Sequence, residues 1–179
     1  MQITEEEPLD EDIDFEKLEQ IIDILLNALE EPDTLIWLNS SQGLGKIAGR
    51  LTLDLANIIV EKIHELFEKN SNQSSLQADA LQGGCLALAE LSRRGLLLPD
   101  KIGEFVPYLE KALVLDINLG NHSEGAHVRD AACYVVWAFA RAYSPDIMKP
   151  FVSVLSTNLI LVSLFDWEVN CWRAASATF

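Results

Sequence analysis

Apolar side chains recur along this chain at the three- and four-residue spacing of amphipathic α-helices. The first run stops before Pro32, and its apolar members are Phe15, Leu18, Ile21, Ile22, Leu25, Leu26 and Leu29. This spacing places them on one side of a helix with 3.6 residues per turn. A helix ending near Leu29 is predicted, because proline does not continue a helix interior.

Beyond Pro32 the chain alternates between helical patterns and short breakers. Further helices are predicted over about 34–49, 52–67, 76–94, 101–117, 127–143 and 148–165. Strands would show strict alternation of apolar and polar residues between turn signals. The sequence lacks that alternation, so it predicts an all-α protein without a sheet.

Alternate helices share a common pattern, in which small residues precede larger apolar ones. The matching stretches are IWLNSSQGLGKIAG from Ile36, LQGGCLALAELS from Leu81, RDAACYVVWAFA from Arg129 and WRAASATF from Trp172. Their starts lie 45, 48 and 43 residues apart, close to the period of roughly 40–47 residues typical of HEAT and armadillo repeats. The predicted architecture is therefore a HEAT/armadillo-like superhelical stack of antiparallel helix pairs over residues 15–179.

The two ends of the sequence differ from this pattern. Eight acidic residues lie between Glu5 and Glu16, so residues 1–14 are predicted to be an acidic linker or disordered arm. The chain stops at Phe179 inside a helical pattern, without a Gly or Pro stop signal. Because a repeat stack needs a polar cap at its ends, we expect a fragment of a longer solenoid, truncated at the C-terminus.

Negative charge is concentrated near the N-terminus. The formal net charge is −15, and residues 1–33 hold thirteen acids against Lys17 alone, which leaves −3 for the rest. An acidic chain without a basic stripe repels a phosphate backbone, so direct nucleic-acid binding is disfavoured. The N-terminus lacks the features of a signal peptide, and the apolar stretch 151–165 is too short for a bilayer. Neither secretion nor a membrane span is predicted.

Candidate catalytic and metal-binding chemistry fails on spacing. Gly45-Lys46 echoes a phosphate-binding loop, but Ser40 stands where that loop has its first glycine and Ile47 where it has Ser or Thr. No histidine has a second His or Cys at the i, i+3 or i+4 spacing of a metal site, and the cysteines lie in apolar helical patterns typical of buried, reduced thiols. These residues are His64, His122, His127, Cys85, Cys133 and Cys171. No enzyme, metal or cofactor site is predicted, and the thiols indicate an intracellular protein.

Charged residues at helix ends are the remaining candidates for function. Arg129 and Asp130 begin a predicted helix, where they are expected to tie one helix pair to the next. Arg93 and Arg94 end a helix, where positive charge complements the macrodipole; with Arg141 they are also candidates for contact with a partner protein. Most tryptophans are expected in the core, although one exposed indole would anchor an interface. They are Trp37, Trp137, Trp167 and Trp172.

Three longer stretches are distinctive as continuous sequences: GGCLALAELSRRGLLLP (Gly83 to Pro99), VRDAACYVVWAFARAYSPDIMKPFV (Val128 to Val152) and VNCWRAASATF (Val169 to Phe179). They closely resemble one protein family, that of tubulin-specific chaperone D, also called tubulin-folding cofactor D. GLGKIAGRL from Gly43 is similar more weakly, so the resemblance covers about 34–179. It implies a large, non-catalytic scaffold that binds β-tubulin and helps to assemble it with α-tubulin.

The same resemblance implies partners and a location. These are β-tubulin, tubulin-folding cofactors C and E and an Arf-like small GTPase, with a contribution to GTPase activation on tubulin in the cytoplasm and at the cytoskeleton. The residues alone leave a second interpretation open, namely a generic HEAT/armadillo protein–protein interaction adaptor. An enzyme is the weakest alternative, because no catalytic constellation is visible.

Overall fold

The structure is a computed structural model that describes residues 15–70, 78–118 and 123–179. Within these ranges the chain forms eight α-helices: α1 (Phe15–Ala28), α2 (Thr34–Ala48), α3 (Leu53–Asn70), α4 (Ala78–Arg93), α5 (Ile102–Leu113), α6 (Ala126–Ala142), α7 (Pro145–Phe165) and α8 (Val169–Thr178). A 3-10 turn, Pro99–Lys101, precedes α5. The all-α class is confirmed, and the predicted acidic arm, residues 1–14, lies outside the described ranges.

The helices form two layers. Helices α2, α4, α6 and α8 pack side by side in one, called here the even layer, and α1, α3, α5 and α7 form the odd layer. The Cys171 thiol donates to the Ala126 carbonyl oxygen and the Thr178 hydroxyl to that of Cys133, and both pairs are 45 residues apart. A constant offset along two helices means that they run parallel. The predicted repeat of about 45 residues is therefore confirmed between α6 and α8.

Small residues allow the helices to approach closely around α4. A Cβ atom placed on Gly83 would lie 2.2 Å from the Leu29 carbonyl oxygen, so glycine alone lets the end of α1 meet α4. Cys85 and Ala89 of α4 and Ala132 and Cys133 of α6 are fully buried. The shared small residues of the sequence repeats thus lie where neighbouring helices touch.

Aromatic side chains fill the space between the layers. Phe67, Phe105 and Phe139 are among the largest fully buried side chains. The Phe67 and Phe105 rings meet edge to face with centroids 5.9 Å apart, and Tyr108 stacks on Phe67 at 5.7 Å. Such pairs add about 0.5–1.5 kcal/mol beyond the burial of their area. The hydrophobic core therefore lies between the two layers, and the inner faces of the even-layer helices pack against it.

Two helix boundaries have clear local causes. The Asp33 carboxylate caps α2 by accepting the backbone N–H groups of Leu35 at 2.8 Å and Ile36 at 3.2 Å. Helix α7 starts at Pro145 and not near Met148 as predicted. Proline fits the first helical position, where its missing N–H is not needed. The breaker expected between α6 and α7 is thus the first residue of α7.

The prediction of no sheet is wrong in the connection from α5 to α6. Helix α5 ends at Leu113, and two-residue strands β1 (Ile117–Asn118) and β2 (Ser123–Glu124) pair antiparallel. Gly125 then turns the chain into α6 with φ +126°, and a Cβ atom there would lie 2.4 Å from the Leu115 carbonyl oxygen. Strands of two residues are too short to show an alternating pattern, which is why the sequence did not reveal them.

Among the described residues, α7 is one helix long and apolar enough to cross a membrane by length and composition. Its 21 residues exceed the stretch 151–165 considered from sequence, because the helix already begins at Pro145. It packs against α5, α6 and α8 and carries Asp146 and Lys149 in its first turns. In the structure α7 is a helix of the odd layer.

Candidate functional site

Charged and aromatic side chains meet on the outer face of the even layer, near the C-terminal ends of α4 and α6. Glu90 and Arg93 lie on α4 and Arg94 directly follows its last residue, so the three are spaced i, i+3 and i+4 and face the same side. Tyr134, Trp137 and Arg141 follow the same rule on the neighbouring helix α6. We call the six residues the arginine–tryptophan cluster: Glu90, Arg93, Arg94, Tyr134, Trp137 and Arg141.

Trp137 is the centre of the cluster. Its half-buried indole stacks on the Tyr134 ring, with centroids 5.6 Å apart and planes inclined by 15°. The Arg141 guanidinium lies 5.4 Å from the indole centroid and that of Arg93 lies 6.0 Å away. Cation–π contacts of this kind contribute about 0.5–1 kcal/mol each at exposed sites. The indole therefore holds two of the three arginines suggested by the sequence close to one another.

Glu90 is the buried acid of the cluster and accepts hydrogen bonds from two of its members. Only 10% of its side chain is exposed, and its Oε1 accepts hydrogen bonds from Arg93 Nη1 at 2.9 Å and from the Tyr134 hydroxyl at 3.3 Å. Arg93 Nη1 also donates to the Tyr134 hydroxyl at 2.7 Å, and this hydrogen bond is the main reason that the pKa of Arg93 is raised. Burial raises the pKa of Tyr134 in turn. This network links α4 to α6 and fixes the position of the Arg93 guanidinium.

Arg94 extends the cluster toward α2. Its Nε lies 3.8 Å from Glu90 Oε2, and its side chain covers Gly45, where a Cβ atom would be only 2.9 Å from that nitrogen. The three proposed contact arginines thus lie on one surface that spans three helices. Sequence reasoning had named Arg93, Arg94 and Arg141, but it did not place Tyr134 or Glu90 with them.

The opposite edge of the even layer is acidic. A groove of about 410 Å³ at the N-terminal ends of α4, α6 and α8 is lined by Asp79, Glu124, Asp130 and Glu168. Burial is the main cause of the raised pKa of Asp79 and of Asp130. Acids at helix N-termini and bases at C-termini both complement the helix dipoles. The even layer therefore has two chemically distinct edges, of which only the one with the cluster favours an acidic partner.

Arg129 joins three parts of the stack. Its Nε and Nη2 donate to the Asp166 carboxylate at 2.6 and 3.0 Å, and its Nη1 donates to the Leu115 carbonyl oxygen at 2.6 Å. The ion-paired side chains are only 10% and 3% exposed. Burial acts to raise the pKa of Asp166, but the hydrogen bonds from Arg129 and from the Glu168 N–H, with the Arg129 charge, hold it below its usual value. These contacts tie the start of α6 to the ends of α5 and α7.

The carboxylate that forms the ion pair with Arg129 belongs to Asp166 and not to the adjacent residue Asp130. Asp130 is an exposed residue, but neighbouring atoms desolvate its carboxyl enough to raise its pKa, and the attraction from His127 offsets this only in part. The structural role assigned to Asp130 from sequence stays a prediction. Asp166 was not singled out, because nothing local in the sequence links it to a residue 37 positions earlier.

The cysteines and histidines do not form a reactive centre among the described residues. All three cysteines are buried, and burial raises the pKa of Cys85, that of Cys133 to about 12 and that of Cys171 to about 11. A nucleophilic cysteine needs an accessible thiolate, which these values disfavour. His64 packs edge-on against Phe105, and His122 lies outside the described residues. The described part of the chain has no group of three metal-ligating side chains.

The expectation that most tryptophans lie in the core is wrong. Trp37 is buried and 5% exposed, whereas Trp172 is 38% and Trp167 is 95% exposed. Trp137 is half-buried within the cluster. Helical spacing predicts which side chains share a face, but it does not tell whether another helix or solvent covers that face.

Comparisons with known proteins agree on one family. A family model described as tubulin-specific chaperone D-like, ARM repeats, matches residues 1–179. The tubulin-specific chaperone D of Dictyostelium discoideum is 44% identical over 155 residues, which cover 85% of this chain and 10% of that protein. The tubulin-folding cofactor D of Schizosaccharomyces pombe is 34% identical over 173 residues, which cover 89% of this chain and 15% of that protein. The chain therefore spans only a small part of the length of these relatives.

Proposed function

Because the chain belongs to the tubulin-specific chaperone D-like family of ARM-repeat proteins, we propose that it is a scaffold segment of a tubulin-folding cofactor. In this role it binds β-tubulin without catalysing a reaction and takes part in the assembly of the α/β-tubulin heterodimer. The family match over residues 1–179 carries the proposal. Both relatives are named for work on tubulin.

The described surface supports a protein-binding role. Parallel helices in the even layer form a continuous face, which is the kind of surface that repeat proteins use to bind large partners. Arginine, tyrosine and tryptophan are the residue types most enriched at the energetic centres of interfaces. We assign the contact with tubulin to Arg93, Arg94 and Arg141, and we assign the connection between repeats to Arg129, with Asp130 beside it.

The wider proposal concerns the longer protein. It includes cooperation with tubulin-folding cofactors C and E, a complex with an Arf-like small GTPase, and a contribution to GTPase activation on tubulin. It also includes a cytoplasmic, cytoskeleton-associated location. This chain contributes binding surface to these processes, because Arg93, Arg94 and Arg141 are exposed on one face of the even layer.

Size-exclusion chromatography of the purified chain with β-tubulin and with tubulin heterodimer tests the proposal. An unrelated HEAT-repeat fragment of similar size is the control, and circular dichroism establishes that both are folded. Selective co-elution of this chain with tubulin is the expected result. A folded chain that does not co-elute with either form of tubulin would contradict tubulin binding by this segment. Equal co-elution of the control, or selective binding of some other client, would favour the generic adaptor.

A further inference from the structure

We propose that the arginine–tryptophan cluster binds an extended, acidic segment of the partner protein, with a carboxylate of that segment held side-on by Arg93. This inference deepens the proposed function and rests on it for the identity of the partner. It defines the partner by chemistry: carboxylates spaced along an extended backbone, with an apolar side chain that packs against the exposed part of the half-buried Trp137 indole.

Arg93 has one edge available for a carboxylate. Both hydrogens of Nη1 have acceptors, namely Glu90 Oε1 and the Tyr134 hydroxyl. Within the described residues, Nε and Nη2 of Arg93 have no hydrogen-bond acceptor. The same two nitrogens of Arg129 hold the Asp166 carboxylate at 2.6 and 3.0 Å. Arg93 therefore offers the edge with which another arginine of this chain already binds a carboxylate in a bidentate manner.

The Arg93 guanidinium is already fixed before a partner arrives. Glu90 is 90% buried as a side chain and hydrogen-bonded to it, while Tyr134 holds the same nitrogen from the neighbouring helix. Ordering a free, long side chain at an interface costs about 0.5–1.5 kcal/mol. The network has removed much of that cost, which distinguishes Arg93 from an ordinary surface arginine.

Arg141 supplies a second, matching contact. It is exposed, lies over Trp137 at 5.4 Å and has no ion-pair partner among the described residues. Arg93 and Arg141 occupy the last turns of adjacent helices, and their guanidinium carbons lie 6.0 and 5.4 Å from the same indole centroid, hence no more than about 11 Å from each other. Alternate side chains of an extended peptide are about 7 Å apart. Two acidic residues on one side of an extended segment would therefore span the two guanidinium groups.

The local charge favours an acidic segment. The cluster contains three arginines and one acid, Glu90. Each of the two helix C-termini adds a partial charge of roughly −0.5, so the local net charge is about +1. Acids at the same end of the stack, Asp54, Asp100 and Asp146, lie in the first turns of odd-layer elements. The favourable approach is therefore restricted to the even layer. The net charge of −15 opposes binding of a nucleic acid here.

Fluorescence anisotropy with the full 179-residue chain tests this inference directly. The probe is a fluorescein-labelled peptide of alternating Glu and Ala with one central Phe, and the companion probe carries Lys in place of Glu. We expect the Glu peptide to bind and the Lys peptide not to bind. Arg93→Gln should weaken binding about three- to tenfold, and Arg93→Gln combined with Arg141→Gln more than about tenfold. The matched control is Lys111→Gln, an exposed charge at the end of α5, which should leave the affinity unchanged.

Several outcomes would overturn the inference. They are no binding of the Glu peptide, equal binding of the Lys peptide, or equal losses in the control and the arginine variants. A variant with Glu5, Glu6 and Glu7 changed to Gln examines whether the N-terminal acids of this chain occupy the cluster. Binding that appears only in that variant would assign the cluster to the chain itself and overturn a partner segment.

The inference and the proposed function fail separately. Loss of peptide binding with intact co-elution of tubulin would overturn the acidic-segment inference alone. Peptide binding without co-elution of tubulin would overturn the tubulin proposal and leave the chemistry of the cluster in place. Thermal melts of each variant show whether a loss of binding reflects a loss of folding.

Discussion

Replacing Asp166 by Asn should destabilise the stack strongly, because Asp166 is the carboxylate of the Arg129 pair. Asn has the same shape and keeps an oxygen that accepts the Glu168 N–H, which Asp166 Oδ1 accepts at 2.9 Å. It removes the negative charge that the bidentate Arg129 contact requires. The amide NH2 of Asn would then face Arg129 Nε, donor against donor. The guanidinium, with its side chain only 10% exposed, would stay buried with a neutral amide oxygen and the Leu115 carbonyl oxygen as acceptors and without a counter-charge.

The expected loss can be estimated from the environment of the pair. Removing one partner of a buried ion pair costs about 3–5 kcal/mol. A groove of about 650 Å³ lies beside Arg129 and Asp166, and water in this groove would partly hydrate the unpaired Arg129 guanidinium of the variant. The lower end, about 3 kcal/mol in the free energy of unfolding, is therefore expected. For a chain of this size that corresponds to a melting temperature lower by about 6–12 °C.

Urea denaturation followed by circular dichroism measures this loss. Asp130→Asn is the matched control, since it removes the same charge from the residue adjacent to Arg129, at an exposed position. Its free energy of unfolding should change by less than about 0.5 kcal/mol. A double-mutant cycle with Arg129→Met should show coupling between Arg129 and Asp166. Equal losses for Asp166→Asn and Asp130→Asn, or a larger loss for Asp130→Asn, would refute the assignment of the pair.

Three further predictions concern pH, packing and thiol reactivity. The pKa of Asp166 is lower in the folded chain than in the unfolded chain, so the ionised carboxylate stabilises the fold. This stabilisation is fully present above the unfolded pKa of about 3.9 and is lost as the pH falls through the lower folded pKa. Thermal melts at decreasing acid pH should therefore show a drop in melting temperature that Asp166→Asn lacks. Gly83→Ala should lower the free energy of unfolding by about 1–3 kcal/mol, because the new methyl group meets the Leu29 backbone at 2.2 Å. Gly43→Ala, whose new methyl group would meet only the end of the Leu25 side chain, at 3.4 and 3.6 Å, should be neutral or stabilising in chemical denaturation. Iodoacetamide near pH 8 should label none of the buried cysteines in the folded chain and all three in urea, as read by mass spectrometry, because the pKa of Cys133 is raised to about 12 and that of Cys171 to about 11.

The sequence predicted the parts of the fold that local patterns encode. The spacing of apolar residues located the helices, and the shared run of small residues identified α2, α4, α6 and α8 as equivalent elements. The structure places these helices in one layer. Small residues are required wherever neighbouring helices touch, so each repeat carries the same pattern of small residues and the period can be recognised in the sequence.

Contacts between distant residues were not predictable in the same way. Asp166 lies 37 residues from Arg129, and Tyr134 lies 44 residues from Glu90. Neither pair follows from helical spacing. Glu90 and Tyr134 are separated by about one repeat period, so comparing the polar residues of successive repeats would have paired them. The two-residue strands and the exposed Trp167 depend on how chain segments meet, which the hydrophobic pattern does not record.

The most direct test of the whole account is the affinity of the chain for tubulin heterodimer, measured by biolayer interferometry with three proteins: the unaltered chain, Arg93→Gln combined with Arg141→Gln, and Lys111→Gln. The account predicts saturable binding by the unaltered chain, weakening of more than about tenfold in the double variant, and no change in the control. Absence of binding by the folded chain, or equal affinities for all three proteins, would contradict the claim that this segment holds tubulin through the arginine–tryptophan cluster.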